Sequence, residues 1–465
     1  MTLPARDSYD LVVVGAGPAG MGAVAECAGQ GISLLWVDEQ PSPGGQVHRG
    51  LAAPLSALAG AYQRGLALLS AARAAQAEYL PGATVWQIEP GASLGVSVGG
   101  ASRLVAARRV ILATGALERP MPIPGWTLPG VMTVGGAQTL LKAQGLVPSG
   151  RVVLVGTGPL LWLFAAQMLA VGARPALILD TTPAGNARRA LRHLPGFLAS
   201  PYLARGLGLL RRVRRAVPVR RGEHPAIRPR PAGGLLIAWE SGEAEADLIL
   251  LHQGVVPHVH PAQAAGCALA WSEAQACFVP VTDAWGESSI PGIAIAGDGA
   301  GIAGAEAAEY GGRIAALQAL AALGRIDAAT RDARAAPLFA ARARWLAGRA
   351  FLDALFLPKP AQRQAAPEAI ACRCEEVSGA ALRQAVRQGA TGPNQLKAFL
   401  RCGMGPCQGR QCALTVVETI AAERGLSPAA IGPLRARNPI KPVTLAEIAA
   451  MPVSEADIAA VLGRR

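Results

Sequence analysis

The chain has 465 residues, a formal net charge of +13 and eight cysteines. That length exceeds what one hydrophobic core ordinarily supports, so two or three domains are expected, none of them needing a covalent staple. The low cysteine share excludes a disulfide scaffold, and the strand-like run YDLVVVG close behind Met1 leaves no room for a secretory leader; the expectation is a cytoplasmic, reducing compartment.

In chain order, LVVVGAGPAGMGAVAECAGQGISLLWVDE reads as strand, glycine turn, helix and second strand, one βαβ unit. Strands follow at Ala83 to Gln87 and Arg109 to Ala113. RVVLVGTGPLLWLFAAQMLAVGARPALILD repeats the unit. Its apolar stretch from Val152 to Ala173 is long enough to imitate a membrane span, but Gly156-Thr157-Gly158-Pro159 interrupts it, so a buried strand, a turn and a buried helix are expected instead. Only Lys142, Lys359, Lys397 and Lys441 are lysines, and arginine concentrates between Arg188 and Arg230. With no aromatic interleaving, this stretch does not point to nucleic acid; it is a solvated face or the landing place of an acidic electron-transfer partner. DLILLHQGVVP and IPGIAIAGDGAG return to strand and glycine texture. Helical spacing marks residues 325 to 357, LPKPAQRQAAPEA reads as a linker, and helices are expected at Ser378 to Gly389 and Ala413 to Arg424. The proline-bearing arm ARNPIKPVTLAEIAAM should lie extended across another surface.

Gly15, Gly17 and Gly20, with Pro18 and Ala19 between the last two, form G-x-G-x-x-G between a strand and a helix. The first glycine allows the tight turn, the second lets a pyrophosphate approach, and the third lets helix and strand pack. Asp38 ends the following strand where a ribose-binding acid belongs, with Glu39 as the alternative. Pro43-Gly44-Gly45-Gln46, the ATG of Ala113-Thr114-Gly115, and Gly297-Asp298 complete the pattern. This set resembles the flavoprotein disulfide reductases with two dinucleotide-binding domains. The resemblance implies that these residues, with Gly45, Gln46 and Val85, bind FAD.

At the second unit Gly156 and Gly158 repeat the fingerprint, Leu161 replaces the third glycine and Asp180 closes it. Asp180 favours NAD over NADP, and the leucine weighs against either. The resembling reductases carry a redox cysteine pair beside the flavin; GGQVHRG has none, and Cys27, Cys267 and Cys277 are isolated. Disulfide reduction is therefore not expected, and electrons must leave by another route.

That route lies in Cys372-Arg373-Cys374 and RCGMGPCQGRQC, which hold five of the eight thiols. Such clustering in a reducing compartment favours a metal or redox centre. A [2Fe-2S] cluster needs four thiolates, whereas a four-thiolate zinc site is the rival. Cys372 and Cys374 supply two ligands; Cys402, Cys407 and Cys412 compete for the other two places. The module resembles the bacterioferritin-associated-ferredoxin type of [2Fe-2S] domain, which implies Cys407 and Cys412 as the remaining ligands and Cys402 as the spare.

The run ATGALERPMPIPGWTLPGVMTVGGAQTLLKAQG, with GVVPH and the cysteine module, resembles the flavin subunits of heteromeric amine and amino-acid dehydrogenases, a group that includes the alpha-type subunits of opine oxidase, hydrogen cyanide synthase and D-hydroxyproline dehydrogenase. The implied fold class is α/β: two Rossmann-like dinucleotide-binding domains of the glutathione-reductase type plus a small α-helical [2Fe-2S] domain. The segments are 1–145 and 256–325 for the FAD domain, 146–255 for the second dinucleotide domain, 326–368 for a helical linker, 369–435 for the cluster domain and 436–465 for the arm. The resemblance also implies a hetero-oligomer in which an FAD-bearing beta subunit of the D-amino-acid-oxidase type oxidises a C–N bond and this subunit relays the electrons. In some relatives an FMN lies between subunits and a small ferredoxin-like gamma subunit joins. No residue here then needs to be catalytic. His252, His258 and His260 imitate a metal cluster and Glu306 with Glu309 an acid–base pair; both are read as structural. Two rivals stand beside this reading: a self-sufficient NAD(P)H-dependent reductase, and a zinc-bearing scaffold.

Overall fold

Buried β-branched runs alternate with glycine turns, and two sheets result, one per βαβ unit, the first mixed and the second parallel. The computed structural model describes residues 3–52, 55–453 and 455–463. The first sheet runs Glu78–Pro81, Leu34–Asp38, Ser8–Val14, Ala101–Leu112, Ser93–Val98, Thr84–Ile88, and Ile293–Ile295 also pairs with Ala101–Leu112. Strand Ala101–Leu112 changes role along its length. Its first half is antiparallel to Ser93–Val98, its second half parallel to Ser8–Val14. Burial follows: alternating where one face is covered, continuous over Val110–Leu112 where both are.

Helix Pro18–Glu26 packs on helix Ala305–Ala322 so closely that a Cβ on Gly22 would lie 2.7 Å from the Glu309 carbonyl oxygen. That contact sets the late Gly297-Asp298 turn beside the first glycine motif, although nearly three hundred positions separate them in the chain.

The second sheet is parallel throughout, in the order Val219–Arg221, Leu177–Asp180, Val152–Thr157, Leu248–Gln253, Val131–Thr133. The apolar stretch from Val152 is a strand, a turn and helix Pro159–Ala170, with Leu161, Phe164, Ala165 and Met168 fully buried. No helix among the described residues is long and apolar enough to cross a membrane. The chain leaves and re-enters the first domain through an antiparallel ribbon of Ala116–Glu118 with Val255–Pro257. Strand Val131–Thr133 pairs with Leu248–Gln253, so the second sheet takes a strand from ahead of residue 146.

In the cysteine module, helices Gly379–Arg387 and Ala413–Arg424 form at the expected places, the first capped by the Ser378 hydroxyl, which accepts from Ala381 N. A third helix, Pro393–Leu400, was not foreseen; Gly392-Pro393 is its starting signal. Linker helices Ala328–Leu346 and Arg349–Leu355 precede the module. The arm first runs extended over strand Thr84–Ile88: Ile440 N donates to Trp86 O at 2.8 Å, and the Asn438 amide brackets the Ile88 backbone. It then turns into two short helices, Leu445–Ala449 and Glu455–Leu462.

Candidate functional site

Gly15 has φ +110°, and a Cβ there would overlap the Ala113 carbonyl oxygen; one on Gly20 would overlap the Gly15 carbonyl. Backbone packing thus dictates both glycines. Gly17 is different. The atom nearest its Cβ position is Gly45 Cα at 3.7 Å. Gly45 packs directly on Gly17, since a Cβ on Gly45 would lie 2.7 Å from Gly17 Cα, and the pair forms a cradle wall at the N-terminus of helix Pro18–Glu26, with Pro18 at its first turn, where free amides and the helix dipole favour phosphate. Gly44 N donates to Ala16 O at 2.8 Å and fixes that closure. Gly297 packs on Ala19, whose Cβ lies 2.7 Å from the position a Cβ on Gly297 would take.

Asp38 is buried, and its carboxylate accepts from Ala16 N and, at 2.7 Å, from Gln40 N; burial raises its pKa. Glu39, the alternative acid, is half exposed and ion-paired with Lys441 of the arm. The Thr114 hydroxyl donates to His258 O at 3.4 Å and His258 N to Gly115 O at 3.0 Å. Asp298 Oδ1 accepts from Ala303 N and Gly304 N at 2.8 and 3.0 Å, holding the turn toward helix Ala305–Ala322. Gln46 Oε1 accepts from the Thr139 hydroxyl at 3.2 Å, and Val85 is buried on the strand beneath the arm.

Three side chains that the sequence analysis did not assign to the cofactor bear on the cradle. Arg49 is only 9% exposed, its Nε has no partner, and the acids that act on it are Asp38 and Glu39. The buried Nε2 of His258 is also unpartnered. Lys142 is buried, donates to the carbonyls of Gln46 and Val47 at 3.3 and 3.0 Å, and has its pKa lowered to about 8 by burial. A buried guanidinium with an unused donor, near the acid that ends the second strand of a dinucleotide-binding motif, fits an anionic dinucleotide such as FAD. The only sequence signal was the arginine four residues beyond Gly44-Gly45.

The second fingerprint is assembled but self-satisfied. A Cβ on Gly156 would overlap His252 O, and one on Gly158 would lie 3.1 Å from His252 Nε2. That buried ring is held by Glu118, Nδ1 to Oε1 at 2.6 Å, while Glu118 Oε2 accepts from Gly135 N. Leu161 is wholly buried. Asp180 Oδ1 accepts from Thr182 N at 2.9 Å, and the Asn186 amide donates to the carbonyls of Leu355 and Leu357, tying the linker to this edge.

Of the thiols, Cys372, Cys402 and Cys412 are buried with their sulfurs within 4.8 Å of one another. Cys407 and Cys374 lie outside that trio but near enough to act on each other, and Cys407 on Cys412. Shared hydrogen bonds draw the pKa values of Cys372 and Cys407 down and push those of Cys402 and Cys412 up. Cys374 is exposed and Cys407 half-buried, at the rim of the group. Four or five convergent soft donors suit iron or zinc. Cys27, Cys267 and Cys277 are buried and lie outside the group.

The module sits against the first domain. Glu418 takes Arg119 at 3.4 Å and Arg363 of the linker, all three nearly buried. His260 Nε2 meets the Gln408 carbonyl, next to Cys407, at 3.1 Å, and Gln263 donates to Leu434 O. A cavity of about 60 Å³ lined by Val256, His260, Phe278, Arg410 and Leu414 lies at the seam. The histidines therefore serve separate contacts rather than one metal. Glu306 pairs with Arg205 and Glu309 with Arg64, so they form no acid–base pair.

Residues 9–312 match the pyridine nucleotide-disulphide oxidoreductase family and residues 371–452 the sarcosine oxidase A3 domain. The chain is 47% identical to an opine oxidase subunit of Agrobacterium tumefaciens (strain Ach5), over 98% of this chain and 95% of that one. It is 32% identical to the hydrogen cyanide synthase subunit HcnB of Pseudomonas aeruginosa, over 93% and 96%. In fold it is similar to L-proline dehydrogenase from P. horikoshii, with a TM-score of 0.70 at 18% identity over 95% of this chain and 79% of that one.

Proposed function

Because the chain belongs to the pyridine nucleotide-disulphide oxidoreductase family, in the group with the opine oxidase subunits, we propose that it is the electron-transfer subunit of a heteromeric FAD-dependent amino-acid or opine dehydrogenase or oxidase. Substrate oxidation at the C–N bond then belongs to a partner beta subunit of the D-amino-acid-oxidase type. An interfacial FMN and a small gamma subunit of the ferredoxin-like kind complete the assembly.

One observation carries this reading: a dinucleotide cradle and a cluster of buried thiols are locked together by a buried Arg119–Glu418–Arg363 contact, and Cys27, Cys267 and Cys277 are free and lie outside that cluster among the described residues. Gly15–Gly20, Asp38, Arg49, Thr114, Gly115 and Asp298 would hold FAD; Cys372, Cys374, Cys407 and Cys412 would hold the cluster. Bound there, the flavin supplies two-electron acceptance and the cluster one-electron release. The chain's own part is to orient them, exclude water at the seam and keep their separation constant. Leu161, wholly buried where the third glycine of the fingerprint would stand, supports structural retention over NAD(P)H binding.

The test is co-production with a beta subunit encoded alongside. Dye-linked amino-acid or opine dehydrogenase activity should appear only in the complex, with iron and labile sulfide in equal amounts in this chain. Full activity from the chain alone, rapid flavin bleaching by NADH, or zinc without iron would each replace the reading with another.

A further inference from the structure

We propose that the arginine face of helix Tyr202–Ala216 is the docking surface for an acidic electron-carrier protein. The inference rests on the electron-transfer reading and assigns the surface on which an electron acceptor lands.

Between Arg188 and Arg230 the sequence has twelve arginines and a single acid, Glu223. Glu223 is occupied by Lys359. Among the described residues, only Arg205 and Arg230 of the twelve form ion pairs, with Glu306 and Glu245. On the helix, Val213 alone is fully buried, while Arg211, Arg212, Arg214 and Arg215 are exposed. At 3.6 residues per turn, Ala204, Leu207, Arg211 and Arg215 share the outward stripe, with Arg212 and Arg214 at its flanks. So many like charges repel one another, and no carboxylate among the described residues pairs with the other ten; a complementary negative surface would offset them. The stripe has small residues and one exposed leucine between the charges, not the apolar belt that seats a helix in lipid, and the helix exposes no aromatic ring on which bases could stack.

Position completes the argument. The Tyr202 hydroxyl donates to Ala303 O at 2.9 Å, Arg205 pairs with Glu306, and Ala303 N donates to Asp298. The helix therefore starts on the Gly297-Asp298 turn of the dinucleotide cradle, and Arg211 stands about 14 Å along its axis. A carrier seated on the stripe lies beside that turn of the cradle. The transfer is one electron from the reduced subunit to the oxidised carrier, with no bond made or broken.

Binding of the full-length chain to an oxidised acidic [2Fe-2S] ferredoxin, read by biolayer interferometry from about 20 to about 300 mM salt, tests the proposal without turnover. The expected result is affinity that falls at least about tenfold across that range, and at least about tenfold in the variant R211Q/R212Q/R215Q at low salt, with an unchanged melting temperature. Arg214 is left in place because it lies over the Trp162 ring. Undetectable binding, salt-independent binding, or a variant equal to the parent overturns it. So does binding to vesicles of about 30% anionic lipid that the ferredoxin does not compete away. Failure of the electron-transfer reading shows separately, as a chain purified without visible chromophore.

Discussion

Arg119 and Glu418 meet at 3.4 Å with side chains 4% and 3% exposed. One follows the ATG turn of the first domain; the other lies on the helix that follows Cys412. Arg119 also donates to the Gln275 and Ala276 carbonyls, and Arg363 brings a second guanidinium to Glu418. The cysteine module is thus not a tethered appendage but is keyed into the dinucleotide fold by a buried charge. Removing one partner of such a pair leaves the others desolvated and unpaired. Glu418→Ala should therefore cost about 3–5 kcal/mol, seen as a lower urea midpoint and as proteolytic release of the module near the linker.

The two inner glycines of the first motif should fail differently. Gly20→Ala drives a methyl into the Gly15 carbonyl and should lower the melting temperature of the apoprotein. Gly17→Ala places its methyl in ordinary contact with Gly45, 3.7 Å from its Cα; the apoprotein should melt as the parent does while flavin affinity falls by about tenfold or more. Fluorescence titration with FAD distinguishes the two.

Arg49→Met keeps the buried stem and deletes the unpartnered guanidinium. Loss of one charge-assisted contact to phosphate should weaken FAD binding by about tenfold without raising the sensitivity of the apoprotein to urea. Unchanged FAD affinity would remove Arg49 from the site.

Cys402 shares the buried sulfur group with Cys372 and Cys412. If the cluster takes Cys372, Cys374, Cys407 and Cys412, Cys402→Ala retains iron, labile sulfide and the reduced-cluster EPR signal, whereas Cys407→Ala loses all three. The opposite pattern would move the fourth ligand to Cys402.

His48 is buried, and burial followed by the charge of Lys142 lowers its pKa to about 4 from 6.5. As pH falls below about 6.5 the unfolded chain takes up this proton first, so the contribution is fully present above that value and is lost as pH approaches 4. The loss is at most about 3 kcal/mol. Urea midpoints at neutral and acid pH should diverge for the parent and diverge less for His48→Asn.

The two βαβ units, the glycine turns and the helices flanking the cysteines were legible because each is a short-range pattern: the strand, turn or helix is set by neighbours within a few positions of one another. Leu161 was likewise readable as a departure from the motif, and its side chain is spent on the core. Helix Pro393–Leu400 was missed because its apolar face is short; Leu396 is the residue it buries deepest.

Other decisions needed distant residues to meet. Glu39 is half exposed and taken by Lys441 because the arm folds back across strand Thr84–Ile88, some four hundred positions away in the chain. Arg49 is a candidate site residue because burial leaves its Nε without a hydrogen-bond partner, and Glu418 becomes a key because Arg119 waits opposite. Cys402, marked as spare by the resemblance, is drawn among the other thiols by the turn between two helices. Spacing along a chain specifies backbone geometry and therefore fold and motif; the partner of a charge, and what a buried donor lacks, depend on desolvation and on packing between segments, which no local pattern encodes.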